Sequence, residues 1–156
     1  MRDTESVASE SAAPERVPPE LAEKRLEALL SHTVSLPGAW VGDKPEWETV
    51  VASIGNRLFA IVLHHSDSRL LVNLKLEPDD VLAVKQQFSW IEPGFHMNKR
   101  HWVSMNLTHP EYDGEIAAEM MSESQQIVLG KLTRKVREAV LLEHAAGTPP
   151  RPSWHW

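Results

Sequence analysis

The sequence predicts an α+β fold, an antiparallel β-sheet with helices packed on one face as a two-layer sandwich. Two patterns carry that reading. Strand-like runs follow one another from Val50 to Leu76 with turn residues between them, and amphipathic helical patterns lie on either side, after Pro19 and from Ile116 to Val140. A chain of 156 residues with 42% apolar side chains has the material for one core. We place that single domain at residues 20–146.

The ends are expected to lie outside it. Residues 1–19 are rich in Ser, Ala, Glu and Pro and too poor in large apolar groups to offset their ordering entropy, so an acidic, disordered N-terminal tail is expected. Residues 147–156, GTPPRPSWHW, form a proline-rich tail whose Trp154 and Trp156 are costly to leave in water and are expected to dock.

Pro18 and Pro19 suit the first turn of a helix, where the N–H groups are unpaired anyway. Leu21, Ala22, Leu26, Leu29, Leu30 and Val34 fall on one stripe of it, and the helix should end before Pro37–Gly38. Gly42 to Glu48 is polar and interrupted by Pro45, hence a loop or a short irregular strand. Val50–Ile54 and Leu58–His64 flank Gly55–Asn56 and read as a hairpin, with Phe59, Ile61 and Leu63 on one face and Leu58, Ala60 and Val62 on the other. After a polar turn, Leu70–Leu76 supplies a third strand that points Leu70, Val72, Leu74 and Leu76 inward and Leu71, Asn73 and Lys75 outward. Short turns between sequential strands imply a meander.

Glu77-Pro78-Asp79-Asp80 starts a second helix, with Val81, Leu82, Val84, Lys85 and Phe88 as its packing face and an end near Trp90. The final helical pattern should break near Gly130, with Thr133 able to cap a second segment. Between these lies the most chemically loaded stretch, PGFHMNKRHWVSMN at Pro93–Asn106. Its strand half alternates Val103, Met105 and Leu107 with Trp102, Ser104 and Asn106. The outer sheet face would then carry Asn73, Lys75, Trp102, Ser104 and Asn106, which is too polar for a core.

Composition removes several chemistries. Without cysteine there is no disulfide framework, thiolate metal site or cysteine nucleophile. No apolar run is long enough to span a bilayer, and no leader-like segment opens the chain, so a cytoplasmic protein without a membrane role is expected. Net charge is −6, but the residues up to Glu23 hold two basic and six acidic side chains, leaving about −2 for the rest and room for basic patches.

Segments of the chain resemble the MmcQ/YjbR family. LPGAW at Leu36–Trp40, GNRLFAIV at Gly55–Val62, LVNLKLEPDD at Leu71–Asp80, PGFHMNKRHWVSM at Pro93–Met105 and SQQIVLGKLTRKVRE at Ser124–Glu138 follow its order and spacing. The resemblance implies a frataxin-like (CyaY-like) fold, described by analogy as double-wing and DNA-binding. It maps an NLK pattern onto Asn73, Leu74 and Lys75, and an H-x-N-K-x-H-W pattern onto His96, Asn98, Lys99, His101 and Trp102. The chain departs where the family carries Ser-Tyr, having Ser124-Gln125 instead, and Gly42–Glu48 lacks the family's Pro-Phe-Gly character.

Nucleic acid is the leading partner on this reading. Asn73, Lys75, His96, Asn98, Lys99, Arg100, His101 and Trp102, with Lys131, Arg134 and Lys135 from the last helical stretch, form the candidate nucleic-acid or anion site. The last three equally suit a solvated helix C-terminus. Eight histidines raise metal binding, but no ligand spacing is present, and adjacent strand residues such as His64 and His65 point apart. No catalytic motif appears, so a non-enzymatic module without cofactor is expected, a monomer or weak dimer. The alternative is a small-anion-binding or protein-interaction module without a nucleic-acid role.

Overall fold

The computed structural model describes residues 15–147 and Pro152; the expected docking of Trp154 and Trp156 lies outside them. Helix α1 (Pro19–Val34) begins on Pro19 and buries Ala22, Leu26 and Leu29. Six strands follow: β1 (Ala39–Lys44), β2 (Thr49–Ile54), β3 (Arg57–His64), β4 (Leu70–Lys75), β5 (Ile91–Pro93) and β6 (Trp102–Asn106). Helix α2 (Pro78–Gln87) separates β4 from β5, and α3 (Gly114–Gly130) and α4 (Arg134–Ala145) close the described chain. The sheet order is β1-β2-β3-β4-β6-β5, with every pairing antiparallel. The α+β architecture expected from the sequence is therefore present.

The inner layer is the core. Val72, Leu74, Val103 and Met105 from the central strands meet Met121 and Val128 of α3 and Leu29 of α1 in one cluster. Helix α2 stops at Gln87, earlier than expected, and Trp90 is buried in the turn that follows, its indole edge-on to Tyr112 at 5.0 Å. The long C-terminal pattern divides where Thr133 accepts the Val136 N–H as a helix cap.

Several local expectations change. The polar Gly42–Glu48 stretch contributes an edge strand up to Lys44 and then a single 3-10 turn, Pro45–Trp47, because Pro45 cannot extend the ladder. β5, a three-residue edge strand, was not predicted; it is too short to show alternation. The strict alternation expected in β3 fails at Phe59. Ser53 pairs with Leu58 and Ala52 with Ala60, so Phe59 is the extra residue of a bulge, and it turns into the core with Ala60 and Val62. Buried Ser124 of α3 reaches its carbonyl at 3.4 Å. Leu82 and Val34, expected in packing stripes, are exposed. The expected N-terminal tail is seated by its last residues: the Val17 N–H donates to Thr108 O at 2.8 Å, and Arg16 bonds the Asp67 carbonyl. Residues 1–14 of that tail lie outside the described chain.

Candidate functional site

The loaded stretch is the β5–β6 hairpin, whose loop, residues 94–101, folds back over the outer face of the sheet. A closed circuit of three hydrogen bonds holds it there. The Phe95 N–H donates to Ser104 Oγ (2.9 Å), Ser104 Oγ donates to Asn73 Oδ1 (2.5 Å), and Asn73 Nδ2 donates back to Phe95 O (2.8 Å). Asn73 is 1% exposed and Ser104 fully buried. The polar face that looked too polar for a core is a satisfied anchor beneath a loop, so Asn73 is not presented to a ligand in solution.

The loop has its own internal bonds. Lys99 Nζ donates to Gly94 O (2.6 Å) and Met97 O (3.2 Å), and Asn98 Oδ1 accepts the Arg100 N–H (2.9 Å) in an Asx turn. Lys99 and Asn98 thus act first on the loop. Trp102, expected to be available for stacking, is 8% exposed and packs with Val51 and Ile61 against Trp40, Leu58, Leu63 and Met97. Asn106 is also committed, accepting the Thr108 N–H (3.0 Å) and approaching Glu92 at 3.4 Å. Glu92 in turn bonds Arg69, which also bonds Asp67. Burial opposes the Asp67 carboxylate, but hydrogen bonds and charge from Arg69 outweigh it and hold its pKa below the usual value.

Two features remain open. One is cationic. Lys75 is paired across the ladder with Trp102, and its pKa is lowered by burial, then by the charges of Lys131 and Arg57, with Glu77 opposing in part. Lys131 follows the C-terminus of α3, and Arg57 opens β3 after the hairpin turn, so distant segments bring three cations to one end of the sheet. Among the described residues none of them has a carboxylate partner within ion-pair distance. Arg100 is exposed two residues before Trp102. Arg134 and Lys135 are exposed in the first turn of α4, Arg134 paired with Glu138 at 3.1 Å.

The other is a groove of about 320 Å³ between the Pro45–Trp47 turn and the hairpin loop. Trp47, Phe95, His96 and Met97 line its sides, with Ile61, Leu63 and Asn73 also contributing. Trp47 is 49% exposed, and Lys44 Nζ lies 4.6 Å from its ring centroid. Phe95 lies beside the imidazoles of His65 and His96, with centroids 4.3 and 4.0 Å away. His96 is held at φ 63° and Glu48, next to Trp47, at φ 52°, both in the left-handed region that non-glycine residues rarely adopt. A larger hollow of about 500 Å³ lies between α1 and the start of α3, but the Arg25 guanidinium on its wall already donates to Leu107 O and His109 O.

Comparison with known proteins bears on what this arrangement belongs to. The YjbR family model matches residues 34–127, more than half of the chain. The chain belongs to the YjbR family. It is 29% identical over 103 residues to "Uncharacterized protein YjbR" of Escherichia coli (strain K12), covering 66% of this chain and 86% of the relative. With "Uncharacterized protein YbdF" of Escherichia coli O157:H7 it shares 31% over 98 residues, 62% of this chain and 75% of that one. The crystal structure of Deinococcus radiodurans protein DR2400, a DUF419 domain, superposes with a TM-score of 0.64 at 28% identity, over 73% of this chain and 86% of that one.

In this YjbR member, Gln125 stands where the resemblance implies tyrosine; it is buried and donates Nε2–H to Pro37 O at 2.7 Å, tying α3 to the turn before β1. Sequence reading missed Trp47, Phe95 and Arg57. An aromatic residue beside Pro45 in a polar stretch was a usable signal for Trp47; Arg57 carried none, because only the sheet register brings it to Lys75. Among the described residues, no three His, Asp or Glu side chains converge as a metal site would require, and no helix is long and apolar enough to cross a membrane.

Proposed function

We propose that this YjbR-family protein is a non-enzymatic module that binds nucleic acid through the cationic end of its sheet, with Arg57, Lys75 and Lys131 neutralising phosphates and Arg100 beside them. The gathering of three cations, none with a carboxylate within ion-pair distance among the described residues and with Glu77 offsetting Lys75 only in part, carries this reading. Like charges held together destabilise one another until an anion joins them, and a polyanion answers several at once.

Binding of a labelled duplex and a labelled single strand at two salt concentrations tests the proposal. Wild type is expected to lose affinity steeply with salt, with a slope of about −0.9 per phosphate neutralised on duplex and about −0.7 on single strand. Lys75→Glu/Lys131→Glu is expected to flatten that slope and weaken binding to every sequence alike. Absence of binding to either form at low salt would refute it. Lys99 is the wrong place for the charge reversal, because its ammonium holds the loop.

A further inference from the structure

We infer that the groove between Trp47 and the β5–β6 loop seats an unstacked base of a single nucleic-acid strand, with the strand's phosphates toward the cations at the adjoining end of the sheet. This rests on the nucleic-acid reading above and adds the form of strand recognised.

The lining decides the class of ligand. Trp47, Phe95 and His96 offer ring surfaces, and Ile61, Leu63 and Met97 supply apolar ones. Such a site favours a flat group with a π-face. Of the polar residues in the lining, Asn73 has its Oδ1 and Nδ2 already bonded to Ser104 and Phe95, and the Thr49 hydroxyl donates to Val62 O. Neither offers a free group to a base edge, which leaves the His96 imidazole as the polar group of the lining, so the groove should discriminate between bases only weakly.

The cations decide what the flat group is attached to. Lys75 lies two residues beyond Asn73 on the same face of β4, about 7 Å along the strand, and Lys131 and Arg57 stand near it. An apolar helix or an acyl chain would use the groove and leave these charges unanswered. A duplex would answer the charges but keep its bases stacked inside. A single strand answers both. The groove is also prepared for a rigid occupant: the Asn73–Ser104–Phe95 circuit holds the loop side, and two of the three non-glycine residues with positive φ among those described, Glu48 and His96, sit at its margins.

The test compares binding, by anisotropy, of a short labelled single strand, the same strand with its bases removed, and the matching duplex. Wild type is expected to hold the intact strand about tenfold more tightly than the abasic one, the size of one base stacked on an aromatic side chain. Trp47→Ala should abolish that preference and leave duplex binding unchanged, while Lys75→Glu/Lys131→Glu should weaken all three ligands. If wild type binds intact and abasic strands equally and the charge reversal still weakens both, the groove inference falls and the phosphate reading stands. A groove filled by a second copy, detected as a dimer that Trp47→Ala dissociates, gives the same equality and overturns it too. If nothing binds, both readings fall together.

Discussion

Asn73 and Ser104 face each other across the β4–β6 ladder, and their side chains hold the β5–β6 loop onto the sheet by bonding both the N–H and the carbonyl of Phe95. Replacing Asn73 with Ala would leave Phe95 O and the Ser104 hydroxyl without their partner beneath the loop. The expected cost is about 2 kcal/mol, read as a lower midpoint in urea unfolding. A second readout is local: Ser104→Ala should speed hydrogen exchange of the Phe95 amide more than that of amides in β2. Equal protection of Phe95 in both proteins would show that the circuit does not hold the loop.

Two buried serines on this face should behave oppositely. Ser53 pairs with Trp40 and Leu58 across its neighbouring strands, and its hydroxyl is the buried side-chain group without a hydrogen-bond partner among the described residues. Ser53→Ala is therefore expected to leave stability unchanged or raise it by up to about 1 kcal/mol, whereas Ser104→Ala lowers it by roughly 1–3 kcal/mol. Thermal melts of the two variants check the contrast.

Gly94 marks where the loop passes closest to β6. A Cβ placed there would lie 2.7 Å from Trp102 Cβ and 2.9 Å from its backbone carbonyl, and the backbone cannot move away without breaking the Gly94 N–H to Trp102 O bond. Gly94→Ala is expected to destabilise by about 1–3 kcal/mol through this overlap. Gly130, at the end of α3, has nothing within 4 Å of the same position, so Gly130→Ala should be neutral or stabilising by up to about 1 kcal/mol. Chemical denaturation of both variants separates overlap from a general intolerance of alanine.

Glu123 on α3 and Asp80 on α2 share a hydrogen bond between two carboxyl groups. That bond, then burial, then the Asp80 charge push the Glu123 pKa from 4.5 to about 7. The folded protein thus binds more protons than the unfolded chain between about pH 4.5 and 7. The contribution is fully present below that window and is lost as pH rises through it. Because Glu123 is exposed, the effect is screened to about 1 kcal/mol. Glu123→Gln should flatten the fall in stability between pH 5 and 8, and an unchanged slope in the variant would count against the shared proton.

Helix α1, the β2–β3 hairpin, the inward side of β4 and the break between α3 and α4 could all be read from the chain, because each depends on periodicity or on a local signal such as Pro19, Gly55–Asn56 or Thr133. Phe59 could not. Alternation assigns it to the side of Ile61, but the bulge that turns it inward arises from how β3 pairs with β2. Leu82 looked like a packing residue for the converse reason: its spacing is right, but it stays 57% exposed in the described structure.

The candidate site divides along the same line. The chain by itself determined that Pro93–Asn106 is a turn leading into a strand, that Asn73 and Lys75 point to one face with Trp102 and Ser104, and that the two strands bearing them belong to an antiparallel sheet. Residue type and a two-residue repeat suffice for that. Only the tertiary structure decided which polar groups remain available: the loop's return over the sheet consumes Asn73, Ser104 and the Lys99 ammonium, while strand pairing and the packing of α3 on the sheet bring Arg57 and Lys131 to Lys75. A side chain's polarity is a local property, whereas its availability depends on which distant donors and acceptors folding places beside it.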